Sequence, residues 1–435
     1  MHIAIIGAGV TGMSAAYDLA RAGHQVHLYE AEAQVGGLAG GFKAPHWDWS
    51  VEKYYHHWFA SDRHILGLIR ELGWADKVRF PRPVTVVYHA GRFYPFDSPL
   101  AVLRYPGLPW VDRLRFGLVG LYLRLTPRWQ PLERHTAHHW LRRALGPRAY
   151  AALWEPLLVG KFGAHYRQVN MAWFWARIHA RTPRLGTFEG GFQAFLDAFA
   201  DRLRGMGVTI RLQTPVVRLE PDPAGAGRGL RVVPAPEVGA APQTYDRVLV
   251  TTSPAQLARL APALPEDYRQ RLLSLKSLGA VVLTLALKQR LSREGYYWYN
   301  IPKAAGFPFL ALVEHTNFLR PEYFGGDHIV YCGDYLDPEH EYFRLSKEEL
   351  LERFLPALAR INPAFRPDWV TGAWLFRTRY AQPVPEVNHA QRIPPLRTPW
   401  PGLYLASMSQ VYPWDRGTNF AVELGRRAAR EMGEG

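Results

Sequence analysis

The first thirty residues place a strand, a glycine-rich turn, a helix and a second strand in immediate succession. Residues 3–6 are apolar and predict a buried strand, and three glycines within residues 7–12 follow it directly. Residues 13–22 predict a helix, which a glycine ends, and residues 26–29 predict the second strand. This succession is typical of an α/β fold.

The spacing of the three glycines predicts a turn that holds a dinucleotide. Gly7 permits a tight turn, Gly9 lets the backbone approach a pyrophosphate, and Gly12 allows close packing of helix on strand. The helix start offers free N–H groups and a favourable dipole to the phosphates. Glu30 ends the second strand, where a carboxylate can accept the ribose hydroxyls, and an acid here disfavours a 2′-phosphate. The candidate contacts of this segment are Gly7, Gly9, Val10, Thr11, Gly12, Glu30 and Ala31.

A second glycine pair, Gly36-Gly37, comes six residues after Glu30 in the run EAEAQVGGLAGGF. Together with the first turn, this run resembles the FAD-binding fingerprint of the amine oxidase, protoporphyrinogen oxidase and phytoene desaturase superfamily. The resemblance implies non-covalent FAD, with the backbone of the pair close to the diphosphate and the ribityl chain. The family usually has arginine after the pair, whereas this chain has Leu38 and Ala39. That departure favours the subset that includes protoporphyrinogen-oxidase-like proteins and UDP-galactopyranose mutases.

Two segments in the middle of the chain resemble the parts of the same family that return to the flavin domain. Residues 185–220 predict a glycine pair, an amphipathic helix and a strand ending near Val216, and the matching valine in the family presents its backbone to the adenine. Residues 245–260 predict a strand, a small-residue turn and a helix, with Thr252 of the turn beside the cofactor. Between them, residues 221–243 are rich in Pro, Gly and Ala and predict a surface hairpin.

Residues 402–429 predict a strand, an irregular aromatic loop and a helix that begins near Thr418. This order resembles the last segment of the family, whose final helix points its amino terminus at the flavin pyrimidine ring. Backbone N–H groups and the helix dipole there stabilise negative charge on a reduced flavin. The usual Gly-Asp pair is replaced by Ser407-Met408, and Asp415 is an alternative source of the ribityl contact. The flavin-contacting candidates are Ser407, Met408, Asp415, Gly417, Thr418, Asn419 and Phe420.

The resemblance implies a Rossmann-like, glutathione-reductase-type FAD-binding domain of α/β class with an inserted α+β substrate domain. The matching motifs lie at both ends and near the middle of the chain, so the flavin domain is discontinuous. We assign residues 1–75, 187–265 and 395–435 to it. Residues 76–186 and 266–394 then form the substrate-binding domain.

No catalytic residue stands out, because a flavin supplies the redox chemistry and the protein binds, orients and tunes it. His56 and His57 follow the first flavin loop and suit proton transfer, or they are structural histidines. Lys161 resembles the lysine that some flavin oxidases hold near N5, or it is an exposed lysine beside aromatic residues. Arg177 and Arg181 clamp an anionic substrate group, or they are solvated. Four aromatic residues line the cavity or belong to the core, the first of them also a catalytic candidate: Tyr380, Tyr299, Tyr412 and Trp414.

The net charge of +14 indicates an anionic partner or a solvated basic surface. The arginines are scattered, and zinc-ligand spacing, an aromatic RNA-binding signature and a basic tail are absent, so we expect neither a metal nor nucleic acid. Residues 96–134 mix Leu, Trp, Phe and Tyr with several Arg. Protoporphyrinogen-oxidase-like proteins are similar in using this region to enter membranes. The alternative is a helical pair packed on the substrate domain.

A single cysteine, Cys332, rules out an internal disulfide and fits a reducing compartment. It lies in the apolar run HIVYCGDY, which predicts a packed core thiol. No apolar run approaches the ~20 residues needed to span a bilayer, and no basic leader precedes the first strand. We therefore expect a cytoplasmic protein. Peripheral attachment to the inner face of the membrane is compatible with this location.

Three functions fit these observations. The first is an FAD-dependent oxidoreductase or desaturase that removes hydride from a bulky, mainly apolar small molecule. The second is an isomerase resembling UDP-galactopyranose mutase, which needs converging arginines for its diphosphate substrate. The third is a non-enzymatic lipid or prenyl carrier of the same fold, against which the intact glycine fingerprint argues.

Overall fold

The computed structural model describes residues 1–180, 182–222 and 229–434. Within these ranges helices and strands are mixed along the chain, and residues 99–180 contain helices without an intervening strand. In chain order the helices are α1 (Val10–Arg21), α2 (Arg63–Glu71), α3 (Pro99–Arg104), α4 (Trp110–Leu125), α5 (Ala137–Leu145), α6 (Pro147–Ala149), α7 (Glu155–Phe162), α8 (Met171–Ala180), α9 (Phe192–Gly205), α10 (Pro254–Leu260), α11 (Glu266–Leu273), α12 (Lys347–Ala359) and α13 (Thr418–Gly433).

The strands of the described ranges form two larger and three smaller sheets. In chain order they are β1 (His2–Ile6), β2 (Gln25–Tyr29), β3 (Gly41–Phe42), β4 (Val51–Glu52), β5 (Trp58–Phe59), β6 (Val78–Arg79), β7 (Thr85–His89), β8 (Arg92–Pro95), β9 (Leu185–Phe188), β10 (Thr209–Arg211), β11 (Val216–Pro221), β12 (Leu230–Pro234), β13 (Gln243–Tyr245), β14 (Arg247–Val250), β15 (Ser277–Leu287), β16 (Trp298–Asn300), β17 (Ala311–Glu314), β18 (His328–Leu336), β19 (Val370–Pro383) and β20 (Leu403–Leu405).

One sheet has five parallel strands in the order β10-β2-β1-β14-β20. Along β1, Ile3 and Ile5 join the core under α1, α9 and α13, while Ala4 and Ile6 join the core under α10 and α11. Successive side chains of a strand point to opposite faces, so a continuous apolar run suits a sheet covered on both sides. Ile6 pairs with Tyr29 and Val250, so the residues after these strands meet at one edge.

The predicted elements of the first thirty residues are confirmed, with α1 beginning at Val10 rather than residue 13. The prediction at Val216 is wrong, because this residue begins β11 instead of ending a strand. The preceding strand, β10, is short because Gln213 has φ +50° and Pro215 has no N–H to donate, so the chain turns out of the parallel sheet. The predicted hairpin, residues 221–243, runs from the last residue of β11 through β12 to the first residue of β13, and β12 pairs antiparallel with both neighbours. Residues 223–228 of it lie outside the described ranges.

A second sheet has seven strands in the order β19-β15-β18-β17-β16-β7-β8, antiparallel except where β16 meets β7. Cys332 is fully buried in its core, as predicted. Tyr299 is also fully buried there, and its hydroxyl donates to Glu314 at 2.5 Å. Of the two alternatives for Tyr299, the structure confirms the core residue and excludes the cavity-lining one.

The strands of the two larger sheets come from different parts of the chain, and these parts alternate along the sequence. The five-stranded sheet uses strands from residues 2–29, 209–250 and 403–405, whereas the seven-stranded sheet uses residues 85–95 and 277–383. Helices α4 to α8 pack around a separate hydrophobic core that includes Tyr150, Phe162, Trp173, Phe174 and Trp175. The domain boundaries stated above stay a prediction. In the described ranges, no helix combines the length and apolar character required to cross a bilayer.

Candidate functional site

Two glycines of the first turn are required by the fold itself. Gly7 has φ +108°, and a Cβ built on it would lie 2.6 Å from Thr251 Oγ1. A Cβ on Gly12 would lie 2.1 Å from the carbonyl oxygen of Gly7. Any other residue at these positions would be strained or would clash, whatever binds nearby.

Gly9 is different, because neither its conformation nor its packing requires glycine. Its φ of −75° and ψ of 176° suit any residue, and a Cβ would meet only the Gly36 carbonyl oxygen at 4.0 Å. Gly9 is also the N-cap of α1, and no side chain caps this helix start. The uncapped N–H groups of Val10 and Thr11 follow directly, where a phosphate would be stabilised. A phosphate bound at the helix start would take the place of the capping side chain that α1 lacks.

Glu30 is held beside this turn by two backbone hydrogen bonds. Its carboxylate accepts the N–H of Ala8 at 2.8 Å and that of Glu32 at 3.0 Å. Ala31 between them is exposed. The carboxylate is therefore fixed at the end of β2, next to the helix start, where a ribose hydroxyl could donate to it.

The second glycine pair lies directly against the first turn. Gly36 forms a parallel bridge with Gly9, and its N–H donates to the Ala8 carbonyl at 2.8 Å. Gly36 and Gly37 have φ of +121° and +55°, so both need glycine. The side chain of Leu38 is half-buried, and Ala39 is buried in the core under α1. Any cofactor contact from these two residues would come from their backbone.

Thr252 carries an unsatisfied buried group at the same edge. Its hydroxyl oxygen is buried and has no hydrogen-bond partner within the described part of the chain. A buried polar atom without a partner is costly, which indicates that a ligand supplies one. Val216 starts β11 nearby, two residues after Thr214, whose N–H donates to the Glu30 carbonyl at 2.7 Å. This edge therefore fits the ADP half of a dinucleotide.

The start of α13 repeats the arrangement seen at α1. Its N-cap, Gly417, has extended backbone with φ 163°, a Cβ there would meet nothing within 4 Å, and no side chain caps the helix. The next two side chains form hydrogen bonds within the protein. Thr418 accepts the Trp58 indole N–H at 2.9 Å, and Asn419 caps α2. Phe420 stacks on Trp414 with centroids 5.3 Å apart. A flavin at this helix start would therefore meet mainly backbone N–H groups.

Ser407 and Met408 lie in a capped turn rather than at an open contact. Ser407 is fully buried, and its backbone N–H donates to the Gln410 side chain at 2.6 Å. The hydroxyl of Tyr380 bonds to Ser409 Oγ at 2.7 Å and accepts the Ser409 N–H at 2.9 Å. Burial raises the pKa of Tyr380, so its hydroxyl stays protonated. Tyr380 thus ties the turn after β20 to the seven-stranded sheet.

The two predicted histidines lie side by side in an aromatic environment. His56 Nδ1 bonds to the Tyr54 carbonyl, and burial lowers the pKa of His56 to about 4, with Arg416 adding to the effect. His56 is therefore neutral near pH 7. His57 contacts Phe59 edge to face, with ring centroids 4.9 Å apart. These contacts favour the structural interpretation of both residues, although His56 is close enough to Arg416 to sense its charge.

Glu52 is a titratable group that the sequence interpretation missed. It is 1% exposed on β4, and the Tyr331 hydroxyl lies 3.4 Å from its Oε2. Burial raises the pKa of Glu52 from 4.5 to about 7, so the carboxyl titrates near neutrality. Perturbed carboxyls of this kind are candidates for proton transfer. Its signal in the sequence is its place at the start of the run EKYYHH, which follows the second glycine pair.

Lys161, Arg177 and Asp415 form one buried cluster. The Asp415 carboxylate accepts Lys161 Nζ at 3.2 Å and a guanidinium N–H of Arg177, and the Trp173 indole N–H donates to it at 3.1 Å. Lys161 is only 11% exposed and Arg177 26%, so the interpretation of both as solvated residues is wrong. Arg181 lies outside the described residues. The Asp415 carboxylate is thus occupied by protein groups rather than open to a ribityl hydroxyl.

Arg416 adds a third cation to this cluster. Its Nε donates to the Gln382 side chain at 3.1 Å, and its Nη2 donates to the Tyr335 hydroxyl. Burial would raise the pKa of Asp415, but Lys161, Arg177 and Arg416 outweigh it and hold that pKa below its usual value. Burial, with Arg177, lowers the pKa of Lys161. The sequence did not single out Arg416 or Gln382, because their neighbours are remote along the chain.

Of the other two aromatic candidates, Tyr412 has a structural role and Trp414 lines a cleft. The Tyr412 hydroxyl donates to Glu133 at 2.8 Å and accepts the Asn170 side chain at 3.0 Å, so it fastens the loop before α13. Trp414 instead lines a small cleft next to the cationic cluster. The cleft is lined by aromatic, apolar and charged side chains, among them Trp173, Gln382, Met408, Trp414, Asp415 and Arg416.

Comparison with known proteins places the chain among flavoenzymes. Residues 10–433 match the model of the flavin-containing amine oxidoreductases. The chain is 22% identical over 413 residues to a 15-cis-phytoene desaturase of Narcissus pseudonarcissus, a match covering 83% of this chain and 66% of that protein. A match to the 15-cis-phytoene desaturase of Synechococcus elongatus, 28% identical over 159 residues, covers 33% of each chain. The chain thus spans a third to about two thirds of these relatives.

Solved structures share the fold over almost the whole chain. A protein provisionally assigned as a protoporphyrinogen oxidase, from Exiguobacterium sp. 255-15, has a TM-score of 0.77 at 19% identity, covering 99% of this chain and 98% of that one. Reduced UDP-galactopyranose mutase has a TM-score of 0.76 at 16% identity, covering 99% and 95%. At these identities the structures show the fold alone, and the family assignment rests on the match over residues 10–433. The chain belongs to the flavin-containing amine oxidoreductases.

Proposed function

We propose that this chain binds FAD without a covalent link and removes hydride from a bulky, mainly apolar substrate. The observation that carries the proposal is the pair of helix starts at Gly9 and Gly417. Each has a glycine that neither φ nor packing requires, and neither helix has a side-chain cap. Both features leave room for an anionic or polar group at a helix amino terminus.

The relative position of the two helices supports the same cofactor. A Cβ on Gly425 of α13 would lie 2.3 Å from the Thr11 carbonyl oxygen, so α13 crosses the first turn of α1 at this glycine. Thr418 begins α13 seven residues earlier, which corresponds to about 10 Å of helix. FAD likewise separates its diphosphate from its ring by a ribityl chain.

The roles of the residues follow from this placement. The α1 start would hold the diphosphate, while Glu30 and Thr252 are placed for hydroxyl groups of the ADP half. The α13 start would face the pyrimidine end of the ring, where N–H groups favour negative charge. Bound FAD supplies the hydride acceptor. Trp173, Trp414 and Met408 contribute apolar side chains to the small cleft beside this helix start.

The test uses a substitution that the protein can accommodate. We expect purified protein to show an oxidised-flavin spectrum, and acid precipitation to release all of the FAD. Gly9→Val should lower FAD affinity at least tenfold without unfolding the protein, because the branched side chain fills the diphosphate position. Gly67→Val, on helix α2 with open space around its Cβ, is the matched control. Colourless protein that takes up no FAD, or equal FAD affinity in Gly9→Val, would contradict the proposal.

An isomerase resembling UDP-galactopyranose mutase is the second candidate, and the cationic cluster favours it. Lys161, Arg177 and Arg416 converge near the α13 start, as a diphosphate substrate would require. The two functions differ in net electron flow. An oxidoreductase substrate bleaches the flavin under anaerobic conditions, whereas an isomerase substrate is converted with no net change in flavin oxidation state.

We also propose that α3 and α4 rest on the inner face of a cytoplasmic membrane. Twelve large apolar residues of the described chain are exposed, and nine of them lie between residues 100 and 125. Leu114, Leu118, Leu121 and Leu125 recur at helical spacing along α4 and are 50–69% exposed. We call the nine residues the α3–α4 face. They are Leu100, Leu103, Trp110, Val111, Leu114, Leu118, Leu121, Tyr122 and Leu125.

The charges around the α3–α4 face suit anionic lipid. Arg104 and Arg128 are exposed near its two ends, and the acidic Asp112 is turned inward to pair with Arg148 at 2.7 Å. We expect sedimentation with phosphatidylglycerol-containing vesicles and weaker sedimentation with phosphatidylcholine alone. Leu114→Glu/Leu118→Glu should abolish it, whereas Leu273→Glu, at an exposed leucine on α11, should not. Undiminished sedimentation of the double variant would show that this face does not bind the membrane.

A further inference from the structure

We infer that Arg416, with Lys161 and Arg177 behind it, binds an anionic group at one end of the substrate. The inference rests on the proposed function and narrows it, since it makes the substrate amphipathic, with an apolar body and a carboxylate or phosphate end. The geometry around Asp415 carries the argument.

The first step is the charge balance of the cluster. Three cationic side chains face a single carboxylate within the described part of the chain. With Lys161 protonated the excess is two positive charges, and with Lys161 neutral it is still one. Lys161, Asp415 and Arg177 are 11%, 23% and 26% exposed, so water screens this surplus of positive charge only in part. An external anion would balance it.

The second step is that Asp415 has little capacity left for Arg416. One carboxylate oxygen accepts Lys161 and Arg177, and the other accepts the Trp173 indole N–H and the Arg416 backbone N–H. The guanidinium of Arg416 bonds instead to the neutral groups of Gln382 and Tyr335. Within the described residues it forms no ion pair with a carboxylate. Arg416 is therefore a positioned guanidinium whose charge remains available.

The third step is access. Arg416, Asp415 and Gln382 line the same cleft as Trp173, Trp414 and Met408, so a charged end and an apolar wall adjoin each other. Lys161 lies over the rings of Trp173 and Tyr335, 5.4 and 5.5 Å from their centroids, which holds it behind the cleft. Gln382 and Tyr335 fix the fork of Arg416 in advance, so little side-chain entropy is lost when an anion binds.

The position of Arg416 next to the α13 start indicates that the anion is one end of the substrate. Arg416 directly precedes Gly417, the residue at the proposed ring-facing start of α13. An anionic group held here would place the adjoining apolar body along Trp173 and Trp414, beside the ring. Charge-assisted hydrogen bonds to a guanidinium are strong and directional, so this contact would orient the substrate.

The experiment compares two probes on the FAD-loaded protein, decanoate and decanol, by calorimetric titration. Decanoate should bind at least tenfold more tightly than decanol, and decyl phosphate should behave as decanoate does. Arg416→Gln should weaken decanoate binding about tenfold or more and leave decanol unchanged. Arg416→Lys should recover part of the loss. Arg366→Gln, at a 70% exposed arginine paired with Asp368, is the matched control.

Other outcomes would overturn the inference while leaving FAD binding intact. Equal affinity for decanoate and decanol in FAD-loaded protein would remove the anion site. Equal decanoate affinity in wild type and Arg416→Gln, with a lowered flavin reduction potential in the variant, would assign the cluster to the flavin itself. A variant that keeps its flavin spectrum is folded, so loss of decanoate binding in it cannot be ascribed to misfolding. Protein without flavin would count against the proposed function instead.

Discussion

At the scale of single residues, Glu52 shows how burial changes the chemistry of an ordinary carboxyl. The unfolded chain releases its proton near pH 4.5, whereas the folded chain keeps it to about pH 7. Between these values the folded state binds more protons, so this group makes the protein less stable as pH rises. The destabilisation is complete above pH 7 and absent below pH 4.5.

Glu52→Gln removes this pH dependence while preserving the size of the side chain. We expect the variant to be more stable than wild type at pH 8 by about 3 kcal/mol, and equally stable near pH 4. Urea unfolding at both pH values measures the difference. Glu352→Gln, at an exposed position on α12, should change stability at neither pH. A variant no more stable than wild type at pH 8 would mean that folding does not raise the pKa of Glu52.

At the scale of elements, Asn419 joins the start of one helix to the start of another. It lies in the first turn of α13, and its side-chain oxygen accepts the N–H of His64 at 2.8 Å and of Ile65 at 3.2 Å at the start of α2. These N–H groups have no partner inside α2, as at any helix start. Asn419 therefore acts as a cap supplied from a distant part of the chain.

Asn419→Ala should lower the free energy of unfolding by about 1 to 2 kcal/mol, since two helix N–H groups lose their acceptor. Its FAD affinity should change little, because the backbone N–H at the α13 start is retained. Chemical denaturation and FAD titration measure the two effects separately. Asn419→Asp is the matched control, since its carboxylate still accepts the N–H groups of His64 and Ile65, and it should keep most of the stability. A large loss of FAD affinity with unchanged stability would instead assign the side chain to the cofactor.

The elements also show where sequence patterns succeed. The first strand, turn and helix were predictable because their signals lie within a few residues of one another, and the last helix was found at Thr418 for the same reason. Val216 was misplaced because the turn at Gln213 and Pro215 moves the chain to a different sheet. A local apolar pattern predicts that a strand is present, but it does not predict which sheet the strand joins.

At the scale of the whole molecule, the site is assembled from segments far apart in the sequence. The cluster joins Lys161 of α7, Arg177 of α8 and Asp415 of the loop before α13, with partners from the seven-stranded sheet. Each of these residues has an ordinary sequence context. Lys161 and Arg177 were candidates with solvated alternatives, and their burial could only be seen once Asp415 was placed between them.

The sequence by itself determined the first strand, the glycine turn and the family, because glycine spacing, strand pattern and the acid at Glu30 all act within one short unit. It also indicated that the apolar residues of α3 and α4 were unusual. Only the tertiary structure decided which cations meet at Asp415, that Glu52 is buried, and that Gly9 and Gly417 are not required by the fold. The physical reason is that burial and charge pairing depend on neighbours in space. Lys161 and Asp415 are 254 residues apart along the chain, and Glu52 and Tyr331 are 279 apart.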